Sequence, residues 1–289
     1  MDGFWEPFRF EFFRNGLLVA TVAGALCGLV GPFVVLRRMS SIGHGLSHAV
    51  FGGAAVAAVA GLDFYLGAGL WGVASALLIG VVARRRIVGS DAAIGVVTTA
   101  SFAIGLALFG LYGQARRSTD ALLFGSVLGV DEKDIAVVVG VAVATAVALT
   151  LGYRPLLFST FDPEVAAVSG LRVGRLDALL MVVLAVVILA TTQVLGVVLV
   201  SAALVVPATV ARMLTNRFAR MLWSSTAIGA ACGFAGMVAS YHLDVSSGAA
   251  VVLVGAALFV VVFAATGARG LRRTGAGTTT PPVGGRLPL

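Results

Sequence analysis

Charged residues are scarce in this sequence. Only 11% of its 289 residues are charged and 59% are hydrophobic, whereas ordinary soluble domains are about 25% charged. A chain of this size in water needs more polar surface to cover its core, while a surface that faces lipid must itself be apolar. The composition therefore excludes a soluble domain and predicts an integral membrane protein.

Lysine is nearly absent. Lys133 is the only one, and the formal net charge of +7 comes from arginines in short clusters between apolar runs. A nucleic-acid-binding domain carries its cations as a patch or stripe, whereas short clusters between apolar runs are typical of membrane loops. We therefore exclude nucleic acid as a partner and expect membrane lipid instead.

Cysteine is rare too. Cys27 and Cys232 both lie in apolar stretches, which provides neither a disulfide framework nor a zinc-ribbon spacing. The sequence contains no Walker loop and no dinucleotide fingerprint. If ATP powers this protein, another chain must hydrolyse it, so we predict no catalytic residue and no permanently bound cofactor.

Long apolar runs dominate what is present. Runs that can cross a hydrocarbon core of about 30 Å predict an all-α polytopic membrane protein with nine transmembrane helices. They lie at about 16–36, 44–62, 65–83, 92–112, 133–153, 177–195, 196–213, 222–241 and 247–267. The seventh run contains Pro207 and is marginal in length, so eight spans are the alternative.

The basic residues predict the orientation. With the N-terminus outside and the C-terminus cytoplasmic, fifteen basic residues lie on the inner side and five on the outer side, as the positive-inside rule describes. The mixed aromatic and charged residues of 1–15 predict an amphipathic segment at the membrane interface. Residues 16–267 form the membrane domain, and the Gly, Thr and Pro content of 268–289 predicts a disordered cytoplasmic tail.

Two of the three histidines lie one helical turn apart where the second span begins. His44, Ser47 and His48 are spaced i, i+3 and i+4, so they share a helix face. Neutral imidazoles at this spacing can reach one transition metal ion. We interpret the pair as part of an ion path; the spacing also fits a proton relay, or imidazoles that bond interfacial water.

A short capped helix is predicted in an inner loop. Asp162 as N-cap, Pro163 at the first position, Glu164 in the first turn and Gly170 as C-cap specify a helix of about seven residues. Such a helix is either a surface connector or a docking element for a soluble partner.

Five segments together resemble the zinc/manganese/iron-type (ABC-3) family of ABC transporter permeases, in matching order from about residue 15 to 267. The segments are LRRMSSIGHGLSHAVFGGAAVA (36–57), DAAIGVVTTASFAIGLAL (91–108), FDPEVAAVSGLRVGRLD (161–177), QVLGVVLVSAALVVPATVARMLT (193–215) and ASYHLDVSSGAAVVL (239–253).

The resemblance implies the membrane-spanning subunit of an ATP-driven importer of divalent transition metal ions in the plasma membrane. It implies a permease homodimer, two ATPase subunits and an extracellular metal-binding receptor as partners. The loop from Asp162 to Arg175, with Pro163, Glu164, Gly170 and Arg172, then matches the coupling helix that seats in the ATPase.

One departure from the family concerns the metal. Family members often read IGDALSH where this chain reads IGHGLSH, so His48 carries over while His44 replaces an acidic residue. Imidazole suits zinc and carboxylate suits manganese, so we expect Zn²⁺ to be favoured over Mn²⁺ or iron. His242 and Asp244, in SYHLD at the outer end of the eighth span, either line the outer mouth of the path or end a helix.

Three alternatives compete with a metal permease. A proton-coupled secondary metal transporter should carry carboxylates deep in its spans, but the aspartates of this chain's spans lie near span ends. An intramembrane enzyme needs a nucleophile and base, or a third metal ligand beside the two histidines. A siderophore- or cobalamin-type ABC permease shares the partners and mechanism but needs a wider path.

Overall fold

The computed structural model describes residues 6–83, 89–112, 125 and 130–274, and every regular element in these ranges is helical. A 3-10 helix, Glu6–Arg9, precedes eleven α-helices. They are α1 (Glu11–Leu36), α2 (Ser40–Ala60), α3 (Phe64–Ala83), α4 (Ser90–Tyr112), α5 (Glu132–Leu151), α6 (Tyr153–Phe161), α7 (Pro163–Val168), α8 (Val173–Leu195), α9 (Val200–Leu214), α10 (Phe218–Leu243) and α11 (Ser247–Thr274). The predicted all-α fold is confirmed.

Eight of the described helices are long and apolar enough to cross a membrane: α1 to α5, α8, α10 and α11. The seventh predicted span is instead the 15-residue helix α9, about 22 Å long and shorter than a hydrocarbon core of about 30 Å. Gly196, with a φ of 78°, ends α8, and a turn over 197–199 takes up the residues that a full span would need. The described residues therefore contain eight full-length spanning helices, the number of the alternative prediction, and a shorter apolar helix, α9, at the seventh predicted position.

Contacts along α1 define the two ends of the bundle. Arg37, which follows α1, donates a hydrogen bond to Asp177 at the start of α8, and Phe33 packs against Phe218 at the start of α10, with 5.2 Å between ring centroids. We call this the Arg37 end. Because α8 and α10 both begin there, the short helix α9 and the turn before it return the chain, as the predicted hairpin requires.

The N-terminal boundary differs from the prediction. Helix α1 begins at Glu11, so residues 11–15 belong to the first spanning helix. Acidic residues in a first turn stabilise a helix N-terminus, which accounts for the earlier start. Phe13 is buried against Tyr241 of α10, while Phe10 and Phe12 are exposed. An interfacial role for 1–15 stays a prediction.

The C-terminal boundary also differs. Helix α11 continues to Thr274, so the predicted disordered tail does not begin at 268. Residues 268–273 are mostly Ala, Leu and Arg, which are good helix formers. The rest of the predicted tail, 275–289, lies outside the described residues.

The packing places α1, α2 and α8 at the centre. Most residues of these helices are buried, whereas fewer than a third of the residues in the spanning parts of α3, α4, α5 and α11 are buried. Helices α1 and α10 touch through their backbones, because a methyl group on either Gly24 or Gly229 would overlap the carbonyl oxygen of the other. Small residues permit such contacts between membrane helices.

Candidate functional site

A cleft of about 550 Å³ lies between α2 and the first turns of α4, at the Arg37 end. The two helices approach closely at Gly45, where a methyl group would lie 2.7 Å from Ile94 Cγ2 and 2.8 Å from Thr98 Cγ2. Glycine therefore permits α4 to pack here. The polar lining comes from Arg38, Ser40, Ser41, His44, His48, Asp91, Thr98 and Thr99.

Both predicted ion-path histidines line this cleft, and their Nε2 atoms face each other at 3.0 Å. The rings are nearly perpendicular, with 4.3 Å between centroids. In such a contact one Nε2 donates and the other accepts, so at least one ring is neutral. The two Nε2 atoms therefore meet at a position where both rings can direct a lone pair.

This spacing is close to what one metal ion requires. Two nitrogens bound to a tetrahedral zinc ion at 2.0–2.1 Å are about 3.3 Å apart. His44 and His48 would have to separate by only a few tenths of an ångström and release the shared proton to bind the same ion. The geometry therefore fits a shared metal ion as well as it fits a shared proton.

Aromatic packing fixes the deeper histidine. The His48 ring contacts Phe102 of α4 with 4.5 Å between centroids, and Phe102 in turn packs against Phe51. His48 Nδ1 is buried and has no hydrogen-bond partner among the described residues. Nε2 is thus the polar atom that this ring presents to the cleft. His44 is exposed.

Ser47, predicted on the histidine face, does not line the cleft. It is fully buried, and its hydroxyl donates to the carbonyl oxygen of His44 at 2.9 Å. Hydroxyl groups in apolar helices commonly satisfy themselves in this way. Thr98 does the same, since its hydroxyl donates to the carbonyl oxygen of Ile94 at 2.7 Å.

Asp91 is the carboxylate of the cleft, and the sequence analysis did not assign it to the site. Its Oδ1 accepts a hydrogen bond from the Ser41 hydroxyl at 3.2 Å. Ser41 precedes His44 by three residues on α2, so the carboxylate is bonded to the same face of α2 that carries that imidazole. The polar start of α4, SDAAIG, was a signal for it, but 50 residues separate Asp91 from its partner.

His242 and Asp244 lie at the opposite end of the bundle from the histidine pair. Asp244 follows α10 in a left-handed conformation, with φ 51° and ψ 44°, and lines a cavity of about 330 Å³ beside Phe13 and Tyr241. His242 is exposed and contacts the Tyr241 ring. The structure therefore separates these two residues from the cleft, and their place in the outer mouth of the path stays a prediction.

Helix α7 has the N-terminal cap that the sequence predicts. The Asp162 side chain accepts a hydrogen bond from the backbone N–H of Val165 at 2.9 Å, and Pro163 occupies the first position. Asp162 also ends α6, because its N–H donates to the carbonyl oxygen of Phe158 at 3.0 Å. Helices α6 and α7 are thus joined with no loop between them.

The C-terminus of α7 is one residue shorter than predicted. Ser169 is the C-cap, and Gly170 follows it with a φ of 86°. The N–H groups of Gly170 and Leu171 donate to the carbonyl oxygens of Ala167 and Ala166, each at 3.1 Å, which is a Schellman motif. Arg172 then caps α8, so α7 is held firmly at both ends.

The surface of α7 is apolar and exposed. Ala166 is its only buried residue, while Val165 and Val168 are 50% and 90% exposed, and Phe161 just before the helix is 60% exposed. Glu164 is exposed beside them. An apolar patch with a charged rim is typical of a protein-interaction surface.

Comparison with known proteins identifies the chain. The sequence profile of the ABC 3 transport family matches residues 9–266. This protein belongs to the ABC 3 transport family. The resemblance inferred from the five segments is confirmed.

Individual ABC 3 relatives cover nearly the whole chain. The manganese transport system membrane protein MntC of Halalkalibacterium halodurans is 38% identical over 262 residues, which are 90% of this chain and 89% of that protein. The manganese import system permease protein ScaB of Streptococcus parasanguinis is 35% identical over 257 residues, 88% of this chain and 91% of that protein. The structure titled PsaBC from Streptococcus pneumoniae in complex with Fab matches with a TM-score of 0.81 and 34% identity, covering 90% of this chain and 94% of that one.

These observations establish the general function of the protein. The protein is a multi-pass plasma-membrane permease of an ABC importer for metal ions, and its role is that of a transporter component.

Proposed function

We propose that this permease conducts divalent transition metal ions through the cleft between α2 and α4, with zinc favoured over manganese or iron. The observation that carries the proposal is the convergence of His44 and His48 Nε2 at 3.0 Å. The nearby Asp91 carboxylate adds an oxygen ligand for an ion that leaves the pair. Ions are transported substrates here, and no metal is held permanently.

We infer that two copies of the chain form the complete path. Among the described residues, no three His, Cys, Asp or Glu side chains are grouped to hold a metal ion, and tetrahedral zinc takes four ligands. A second copy with its own exposed His44 would supply the missing imidazoles. Beside the cleft, α4 exposes Val96, Ile104 and Leu106, an apolar face that suits either a second copy or lipid.

We infer further that α7 docks on a partner ATPase, which hydrolyses the ATP. The exposed patch of Phe161, Val165 and Val168, the rigid caps and the resemblance to coupling helices support this assignment. Three further residues belong to this element. Glu164 supplies the charge at the rim of the patch, Gly170 forms the C-terminal turn, and Arg172 links that turn to α8. The Arg37 end is then cytoplasmic, which agrees with the positive-inside distribution.

The opposite end then faces outward and receives metal from a binding receptor. Asp244 and His242 lie there, and the cavity beside Asp244 supports their assignment to the outer mouth of the path. A proton-coupled transporter is less well supported, because Asp134 is the one fully buried acidic side chain in the described ranges and it lies in the first turn of α5.

Reconstitution tests the proposal as a whole. The permease, its ATPase and its receptor are placed in lipid vesicles, and uptake of ⁶⁵Zn²⁺ and ⁵⁴Mn²⁺ is followed with and without ATP. We expect ATP-dependent uptake of both ions, faster for Zn²⁺. Uptake by the permease alone, or uptake of a metal chelate but not of the free ions, contradicts the proposal.

His44→Asp is expected to reverse the metal preference. A carboxylate in place of the imidazole suits Mn²⁺ better than Zn²⁺, so the ratio of Zn²⁺ to Mn²⁺ uptake should fall roughly tenfold. His44→Gln is the control, because it removes the imidazole without adding a carboxylate and should slow both ions. An unchanged ratio in His44→Asp would show that His44 does not select the metal.

Asp91→Asn is expected to slow uptake of both ions about fivefold, the effect of losing roughly 1 kcal/mol of attraction to a cation at a partly exposed site. The amide keeps an oxygen that accepts from Ser41, so the change removes charge with little change in shape. Glu132→Gln, an exposed acidic residue at the opposite end, is the matched control in the same uptake assay. Equal uptake by both variants removes Asp91 from the path.

A further inference from the structure

The Arg37 side chain joins three helices at one point. Its Nη1 donates to Oδ1 of Asp177 on α8 at 2.5 Å. Its Nε donates to Thr160 Oγ1 and its Nη2 to Ser159 Oγ, each at 3.0 Å, and both hydroxyls lie in the last turn of α6. Arg37 itself is the C-cap of α1. We call these four residues the Arg37 clamp.

The hydroxyl acceptors of the clamp are oriented in advance. Ser159 Oγ donates to the carbonyl oxygen of Leu156 at 3.1 Å, and Thr160 Oγ1 donates to the same carbonyl at 2.6 Å. Their lone pairs are therefore free to accept from the guanidinium. The helix α6 carries these bonds within its own last turn, so the acceptors move with that helix.

The clamp is partly shielded from solvent. The Arg37 side chain is 10% exposed and that of Asp177 is 30% exposed. Charge-assisted hydrogen bonds are stronger than neutral ones, and three of them fix the orientation of one planar guanidinium. The clamp is therefore a stiff joint, unlike an exposed ion pair on two flexible side chains.

The clamp also lies between the docking helix and the metal cleft. Thr160 is two residues before Asp162, which joins α6 to α7 without a loop. On the other side Arg38 has a left-handed φ of 56° and lines the cleft. Helix α2 begins two residues later at Ser40, four residues before His44. The Arg37 side chain therefore connects the end of α6, next to α7, with the residues that lead into α2.

We propose that the Arg37 clamp transmits movement of the docking helix to α2 and so couples ATP hydrolysis to the opening of the metal cleft. This inference rests on the proposed functions of the cleft and of α7. Arg37 contacts neither the ion nor the ATPase, and it is a positioning residue. With the clamp intact, the ends of α1, α6 and α8 shift together when the ATPase moves α7; without it, α6 and α7 move while α2 stays in place.

The test uses the reconstituted complex with three variants: Arg37→Gln, Asp177→Asn and Thr160→Val. All three are expected to bind the ATPase and hydrolyse ATP at the wild-type level, while the Zn²⁺ or Mn²⁺ taken up per ATP falls at least about fivefold, the lower range of coupling effects between sites. Uptake per ATP in Arg37→Lys should lie between that of these three variants and that of the wild type, because an ammonium group keeps the charge but cannot make the three hydrogen bonds in the same geometry. Thr160→Val keeps shape and charge, so it tests the clamp even if Arg37→Gln fails to insert.

Arg154→Gln is the matched control. Arg154 is exposed in the first turn of the same helix α6, so this variant loses the same charge outside the clamp, and its uptake per ATP should equal that of the wild type. The double variant Arg37→Gln/Thr160→Val should take up as much metal per ATP as Arg37→Gln alone, because Arg37→Gln already removes the contact with Thr160.

Two results would contradict the proposed role of the clamp. One is unchanged uptake per ATP in Arg37→Gln and Thr160→Val. The other is uptake that falls only in proportion to the amount of bound ATPase, which is the result for a purely structural contact. A wild-type complex that takes up neither ion in response to ATP contradicts the proposed function instead, so the two failures are distinguishable.

Discussion

Replacing His48 with alanine is expected to reduce zinc uptake by the reconstituted complex about 100-fold. Loss of a residue that merely orients a metal ligand costs 10- to 100-fold in affinity, and His48 is a direct ligand in the proposed path. The remaining His44 imidazole would lose both the second ligand and the ring that holds its Nε2 at 3.0 Å. The measurement is the initial rate of ⁶⁵Zn²⁺ uptake at saturating ATP.

A loss of folding must be separated from a loss of metal binding in that variant. Val59→Ala is the matched control, because Val59 lies on the same helix α2 near its far end, outside the cleft. Both variants should insert and bind the ATPase in equal amounts. Wild-type uptake by His48→Ala would end the assignment of the cleft as the path.

Changing the docking surface is expected to abolish transport for a different reason. Val168→Asp places a charge at a side chain that is 90% exposed, and Glu164→Arg reverses the neighbouring charge. If α7 seats in a cleft of the ATPase, a buried charge at the centre of that interface should weaken association by 2 kcal/mol or more, about 30-fold. We expect the permease to insert normally, to lose the ATPase in co-purification and to show no ATP-dependent uptake.

The control for the docking variants is a comparable change at the other end. Leu62 is 56% exposed in the turn between α2 and α3, so Leu62→Asp adds the same charge far from α7. Its association with the ATPase should equal that of the wild type. Undiminished ATPase binding in both Val168→Asp and Glu164→Arg would assign the docking surface to another part of the chain.

Features set by neighbouring residues were predictable from the sequence. The N-cap at Asp162 and Pro163 depends on hydrogen bonds and torsions within four residues, and the structure has it as predicted. The same is true of the spacing of His44 and His48, because four residues of helix bring two side chains together whatever surrounds them. The break near Gly196 follows from a backbone conformation that favours glycine.

Features set by distant residues were not predictable. The partner of Asp91 is 50 residues away, and those of Arg37 are 122 to 140 residues away. Hydropathy shows that a helix is apolar but not which neighbour it meets, so neither contact has a local signal. The length of α9 was uncertain for a related reason, since the apolar composition of the run from Asp177 to Leu214 hides where one helix stops and the next starts.

The glycine contact between α1 and α10 has a mechanical consequence. At Gly24 and Gly229 the two backbones are in direct contact, so no side chains lie between them that could rearrange. The two helices therefore move as one rigid body. Alternation of access must therefore arise where side chains separate the helices, as along the α2–α4 seam, and α10 must follow whenever the Arg37 end of α1 shifts.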